Sequence, residues 1–179
     1  MVLWAVLLIN FGFFIVEMGA GLIANSMGLI ADSLDMLADS FVYGLALLAV
    51  GASVLRKKQV AKWSGYLQAA LAIIGLLEVL RRFLGLETPP DYEIMIVVAT
   101  LALLANVTCL YLLKRSQGED AHMQASMIFT SNDIWINAGV VVAAVLVLWS
   151  NSNLPDLMIG LIVFLIVIRG AFRILKIAK

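Results

Sequence analysis

The stretch GLIANSMGLIADSLDMLAD, Gly21 to Asp39, decides how this chain is read. Its first residues close an apolar run that begins at Val2. ANSMG, at its centre, reads as a turn, and the remainder opens a second apolar run that carries Asp32, Asp35 and Asp39. About 20 mainly apolar residues are what an α-helix needs to cross a bilayer core of about 30 Å. Two such runs joined by a short turn predict a transmembrane hairpin, with the acids of its second arm inside hydrocarbon.

Working outward, the rest of the chain repeats the pattern. Spans are expected at approximately Val2 to Ala24, Met27 to Val54, Trp63 to Leu84, Ile94 to Leu113, Gln124 to Trp149 and Leu157 to Ile177. The connections ANSMG, RKKQVAK, LETPPDYE, KRSQGEDAH and SNSNLPD are short, so residues 1–179 are expected to form a single transmembrane domain with no soluble domain. The fold class expected is all-α, a polytopic membrane protein with six transmembrane helices.

Composition agrees. Of 179 residues, 63% are hydrophobic and 13% charged, against roughly 25% charged in a soluble domain, and the mean hydropathy is +1.04. Twelve basic and twelve acidic residues cancel, so no nucleic-acid partner is indicated. The single cysteine, Cys109, excludes an intrachain disulfide and a CxxC metal site and reads as a small core residue. No basic residue precedes the first apolar run, so that run is read as a helix that stays rather than as a cleaved signal.

Basic residues resist translocation and therefore set orientation. With the N-terminus in the cytoplasm, Arg56, Lys57, Lys58, Lys62, Lys114, Arg115, Arg169, Arg173, Lys176 and Lys179 fall inside, and Arg81 and Arg82 outside. Both termini are then cytoplasmic. Trp4, Trp63, Tyr92 and Trp149 fall near span ends, where an interfacial aromatic belt belongs. A faint echo, LLIN at Leu7 to Asn10 and LLAN at Leu103 to Asn106, opens the first and fourth spans.

The chemistry lies in five intramembrane carboxylates: Glu17, Asp32, Asp35, Asp39 and Asp133. Each costs about 2.5 to 3.5 kcal/mol near the bilayer centre even on a lenient scale. No lysine or arginine stands near them in the spans, and Arg169 can snorkel to the headgroups. A mobile cation, bound protons, or each in turn must balance the charge, as in a cation/proton exchanger. Asp32, Asp35 and Asp39 share one helical face; Asn10 and Glu17 share a face of the first helix; Ser131, Asn132, Asp133 and Asn137 cluster on the fifth.

Oxygen ligands of this kind suit hard or borderline divalent ions. The one histidine, His122, is placed in the loop before the fifth span and read as solvated. Asp32 has a second reading as a helix-dipole partner near a helix end, and Glu17, Asn10, Asn106, Asn132 and Asn137 as interhelical hydrogen-bond glue. Glu78 is expected to pair with Arg81 and Arg82 at the membrane edge, and Gly19, Gly21, Gly28, Gly44 and Gly51 to serve close packing of the first two helices. The sequon at Asn106 falls inside a span. By rise per residue, Asp39 and Asp133 reach one level if the long fifth helix tilts or protrudes.

Asn10, Glu17 and the segment Gly21 to Asp39 resemble the first two helices of the cation diffusion facilitator family, and FTSNDIWINAGVVVAA, Phe129 to Ala144, resembles its fifth. The resemblance implies a divalent metal exporter working by metal/proton antiport and alternating access, with no cofactor beyond its metal substrate. By the family's paired motifs, Asp35, Asp39 and Asp133 correspond to three of four metal ligands. The fourth position is Phe129, which cannot bind metal, and Asn132 or Ser131 is the expected substitute. Zinc, manganese, iron, cobalt and cadmium all remain open as substrates. The cytoplasmic domain that usually follows the sixth helix is absent from these residues, so a homodimer stays an open option.

The expected setting is a multi-pass protein of the cell membrane, with divalent cations, protons and lipid as partners. A CDP-alcohol phosphotransferase would also combine six helices with DxxxD acids. It needs an upstream DG and AR and a glycine where Ala31 stands, and these are missing. A non-transporting membrane scaffold is the third reading.

Overall fold

The computed structural model describes residues 2–48, 54–85, 88–115 and 121–177. They form six helices: α1 Val2–Ala24, α2 Met27–Leu48, α3 Val54–Leu84, α4 Tyr92–Arg115, α5 Ala121–Ser150 and α6 Leu154–Ile177. Among the described residues, four segments are long and apolar enough to cross a membrane: Val2–Ala24, Tyr92–Arg115, Thr130–Ser150 and Leu154–Lys176.

The first helix has the bounds that its apolar run predicts. The segment RKKQVAK does not form the expected loop, because Val54 already opens α3 and the basic residues lie in its first turns. Nothing between Val54 and Trp63 breaks a helix, and Lys, Arg, Gln and Ala all favour one. Likewise α5 starts at Ala121, which puts His122 in its first turn instead of a loop. Gly51 and the expected end of the second span near Val54 fall on or beside residues outside those described for α2.

Helix ends follow local chemistry. Asn25 adopts the left-handed conformation (φ 57°) and the Ser26 amide donates to the Gly21 carbonyl at 2.9 Å, which ends α1. Asn151 (φ 48°) ends α5 in the same way, its amide on the Val147 carbonyl at 2.8 Å. Asp91 Oδ1 accepts from the Glu93 and Ile94 amides at 3.0 and 3.1 Å and so starts α4 two residues before the apolar run.

Helices α1, α2, α5 and α4 pack in a ring, each against the next, and the α3–α6 pair docks on α2 and α5. The ring places α2 centrally. Met27, Ala31 and Leu34 on α2 meet Ala72 and Val79 on α3 and Val163 and Phe164 on α6. Val6, Tyr43, Cys109 and Leu113 form a second core at the other end, so Cys109 is the buried core residue its surroundings predict. Gly21 and Gly160 mark close approaches: a Cβ on Gly21 would lie 2.8 Å from Ile30 Cγ1, and one on Gly160 would lie 3.0 Å from the Met27 carbonyl. Gly19 has nothing within 4 Å and Gly44 meets Leu7 at an ordinary 3.6 Å, so the packing role is not shared by every glycine of the hairpin.

The bundle is apolar outside and polar within. Leu8, Ile15, Leu22, Ile74, Leu101 and Leu165 are exposed, whereas Asn10, Glu17, Asp32, Asp39, Asn106 and Asp133 are buried. Water would favour the opposite arrangement; lipid favours this one.

Candidate metal centre

Two kinds of polar site lie inside the bundle. The first closes one end. Asp156, in the first turn of α6, accepts from Ser26 Oγ at 2.6 Å, from the Met27 amide at 2.7 Å and from the Gly28 amide at 3.0 Å. Ser26 Oγ in turn accepts from the Leu29 amide at 3.1 Å. Asp156 therefore caps α2 from another helix, placing negative charge at the positive end of the helix dipole. Arg82 Nη1 donates to the Asn25 carbonyl at 2.9 Å, and the Asp91 amide to the Ala24 carbonyl at 2.9 Å. Glu78 holds Arg81 and Arg82 at 2.8 and 2.9 Å, the pairing expected from their spacing.

The second site is the acidic one. Asp39, 5% exposed, accepts from Tyr43 OH at 3.2 Å, and the same hydroxyl bonds Thr130 Oγ1 on α5 at 2.8 Å. This bridge fixes the relative depth of the two helices. It brings Asp39 opposite Asp133, one turn beyond Thr130, and their carboxylates come within hydrogen-bond reach of each other if one carries a proton. The depth condition is thus met by a 30-residue α5 that extends past the end of its apolar segment.

Farther along α2, Asp32 faces Glu17 of α1 in the same manner. Asp35 sits between the two pairs along α2 and is half-buried. Among the described residues, no three histidine, cysteine or carboxylate side chains converge tightly enough to enclose a metal ion in this conformation. The acids instead form two facing pairs. Both oxygens of Glu17, both of Asp32 and Oδ2 of Asp133 lack a hydrogen-bond partner, and among the described residues no basic side chain pairs with any of them.

The asparagines behave differently from interhelical glue. Asn10 Nδ2 donates to the Val6 carbonyl of its own helix at 2.9 Å, and Asn137 Nδ2 to the Asp133 carbonyl at 3.0 Å. Their Oδ1 atoms are left without a donor, and Asn106 has neither amide atom partnered. A buried amide that spends its donor on the backbone and leaves its oxygen open suits a cation.

Asn132 is exposed, on the flank of α5 that also carries Trp135 at 76% exposure, so it lies away from Asp133 and is not placed to substitute for a ligand. One residue along a helix is about 100° of rotation, which explains why a neighbour in sequence is absent from the site. Ser131 is half-buried. The side chains of Phe129 and His122 lie outside those described. Tyr43 and Thr130 carry no charge and went unremarked in the sequence, although Tyr43 stands one turn from Asp39 and Thr130 one turn from Asp133 on the acid-bearing faces.

A bundle of apolar exterior and acidic interior defines a multi-pass membrane protein. Residues 3–178 match the cation efflux transmembrane domain, and the chain belongs to that family. It is 29% identical over 110 residues to the zinc transporter ZitB of Escherichia coli, an alignment covering 60% of this chain and 35% of that protein. It is 30% identical over 150 residues to the zinc transporter ZitB of Yersinia pestis, covering 74% of this chain and 46% of the relative. The chain therefore spans less than half the length of these relatives.

Proposed function

We propose that this chain exports divalent metal cations across the cell membrane in exchange for protons, by alternating access, with Asp35, Asp39 and Asp133 as the metal-binding acids. In this reading residues 1–179 form one transmembrane domain of six crossings, with both termini cytoplasmic because the basic residues collect at that end. Asn10 and Asn137 offer further oxygens, and Tyr43 holds Asp39 toward α5. The observation that carries the proposal is the buried Asp39–Asp133 pair, which no lysine or arginine matches among the described residues and in which Asp133 Oδ2 has no donor. Such groups need a charge supplied from solution.

Asp39 and Asp133 share a proton in the closed conformation, and a metal ion entering from the half-buried Asp35 side displaces it. The relatives' name points to zinc, while an all-oxygen donor set without histidine also suits manganese and other harder ions. Family membership favours transport over the CDP-alcohol phosphotransferase alternative. The test is flux in proteoliposomes: wild-type protein should move Zn2+ or Mn2+ against an opposing pH gradient, and Asp39→Asn should not. Equal flux in the two proteins would refute the assignment.

A further inference from the structure

Glu17 and Asp32 stand apart from the proposed metal-binding acids. Asp32 is seven residues from Asp39 on α2, about 10 Å along the axis. Both residues are fully buried, all four oxygens lack a donor, and the two carboxylates face each other between α1 and α2. Apolar residues of the neighbouring helices line this level of the hairpin. The hairpin packs here on Ala99 of α4, Val140 and Ala144 of α5, Ala72 of α3, and Val163 and Phe164 of α6.

The charged groups that act on the pair are acids, Asp35 on α2 and Asp133 on α5. The basic group of the nearby bundle end, Arg82, is committed to Glu78 and to the Asn25 carbonyl, and Asp156 is saturated by the start of α2. Two buried carboxylates in mutual contact and beside other acids do not both remain ionised. A divalent ion would need at least a third ligand, and among the described residues no third histidine, cysteine or carboxylate converges there. A single proton needs just the two.

We infer that Glu17 and Asp32 form a proton-holding site separate from the metal-binding acids, with one proton bonded to one carboxylate oxygen and accepted by the other. The pair then carries one negative charge. Loss of the proton to water leaves two carboxylates whose repulsion adds to that of Asp35, which favours cation entry at Asp39 and Asp133. This inference rests on the transport reading for its role in exchange, but not for the existence of the shared proton.

The experiment is infrared spectroscopy of the full chain in liposomes at neutral pH, with and without saturating Zn2+. The wild type should show the carbonyl stretch of an un-ionised, hydrogen-bonded carboxylic acid that shifts in deuterated water and survives Zn2+, which empties any proton from Asp39 and Asp133. The double variant Glu17→Gln, Asp32→Asn should lose that band, keep its Zn2+ affinity within about threefold, and lose the acceleration of Zn2+ flux by a pH gradient.

Absence of a Zn2+-resistant acid band in the wild type overturns the inference. So does a fall in Zn2+ affinity of about tenfold or more in the double variant, because the pair would then belong to the metal site. If the double variant does not fold, Glu17→Gln alone must shift the surviving band, and an unshifted band overturns the assignment. A wild type that moves no Zn2+ at all sinks the transport reading and leaves the infrared result standing.

Discussion

Asp156 and Asp133 are both aspartates, both about 1 to 2% exposed, and both on helices packed against α2. Their surroundings differ completely. Asp156 receives three hydrogen bonds from Ser26, Met27 and Gly28, while Asp133 keeps an oxygen without a donor and faces another acid. A buried acid whose lone pairs are filled by fixed donors is part of the architecture. One left unfilled in hydrocarbon costs free energy that selection would remove unless a ligand returns it.

Substitutions that treat the two acids alike should therefore give opposite outcomes. The largest expected effect is on transport: Asp133→Asn should lower pH-gradient-driven metal flux by about a hundredfold or more, as expected when a charged ligand is lost, with the thermal unfolding temperature unchanged or raised. Asp156→Ala should do the reverse. It removes three hydrogen bonds and the cap of α2 and should cost about 2 to 4 kcal/mol, seen as a lowered unfolding temperature, while the protein that remains folded still binds metal.

Tyr43→Phe sharpens the comparison by breaking the bridge between α2 and α5 without touching a carboxylate. Flux should fall by several-fold, and metal affinity less, since the two hydrogen bonds lost, to Asp39 and Thr130, are worth about 1 kcal/mol each. Glu78→Gln should be smaller still, within about 1 kcal/mol in unfolding experiments, because Glu78 and its partner Arg81 meet solvent at the bundle edge. Asn132→Ala should change neither flux nor stability measurably, as its side chain points away from the acids.

Sequence carries those features that depend on composition and helical period. The apolar run from Val2 gives α1 its observed bounds, and the spacing of Asp32, Asp35 and Asp39 puts them on one face. The pairing of Glu78 with its arginines is equally local. The basic start of α3 is misread because a hydropathy window sees where the apolar run ends and not where the hydrogen-bonded helix does.

What is non-local stays hidden. The bond from Tyr43 to Thr130 joins residues 87 apart, and that from Ser26 to Asp156 joins residues 130 apart. No periodicity reports either. The asparagines illustrate a subtler limit: their residue type allows bonding to another helix or to their own, and only the side-chain geometry shows Asn10 and Asn137 turned back on their own carbonyls. Glu17 and Asp32 are visible as intramembrane acids, but that they oppose each other depends on the register of the hairpin, set by the left-handed turn at Asn25.

In the proposed exchange, the Asp39–Asp133 pair takes up metal and gives up protons in return. Isothermal titration of purified protein with Zn2+ in two buffers of different ionisation enthalpy reads binding and proton release together. Net proton release on binding is expected in the wild type, and affinity weaker by about tenfold or more in both Asp39→Asn and Asp133→Asn. Unaltered affinity in those variants, or binding with no proton released, would contradict it.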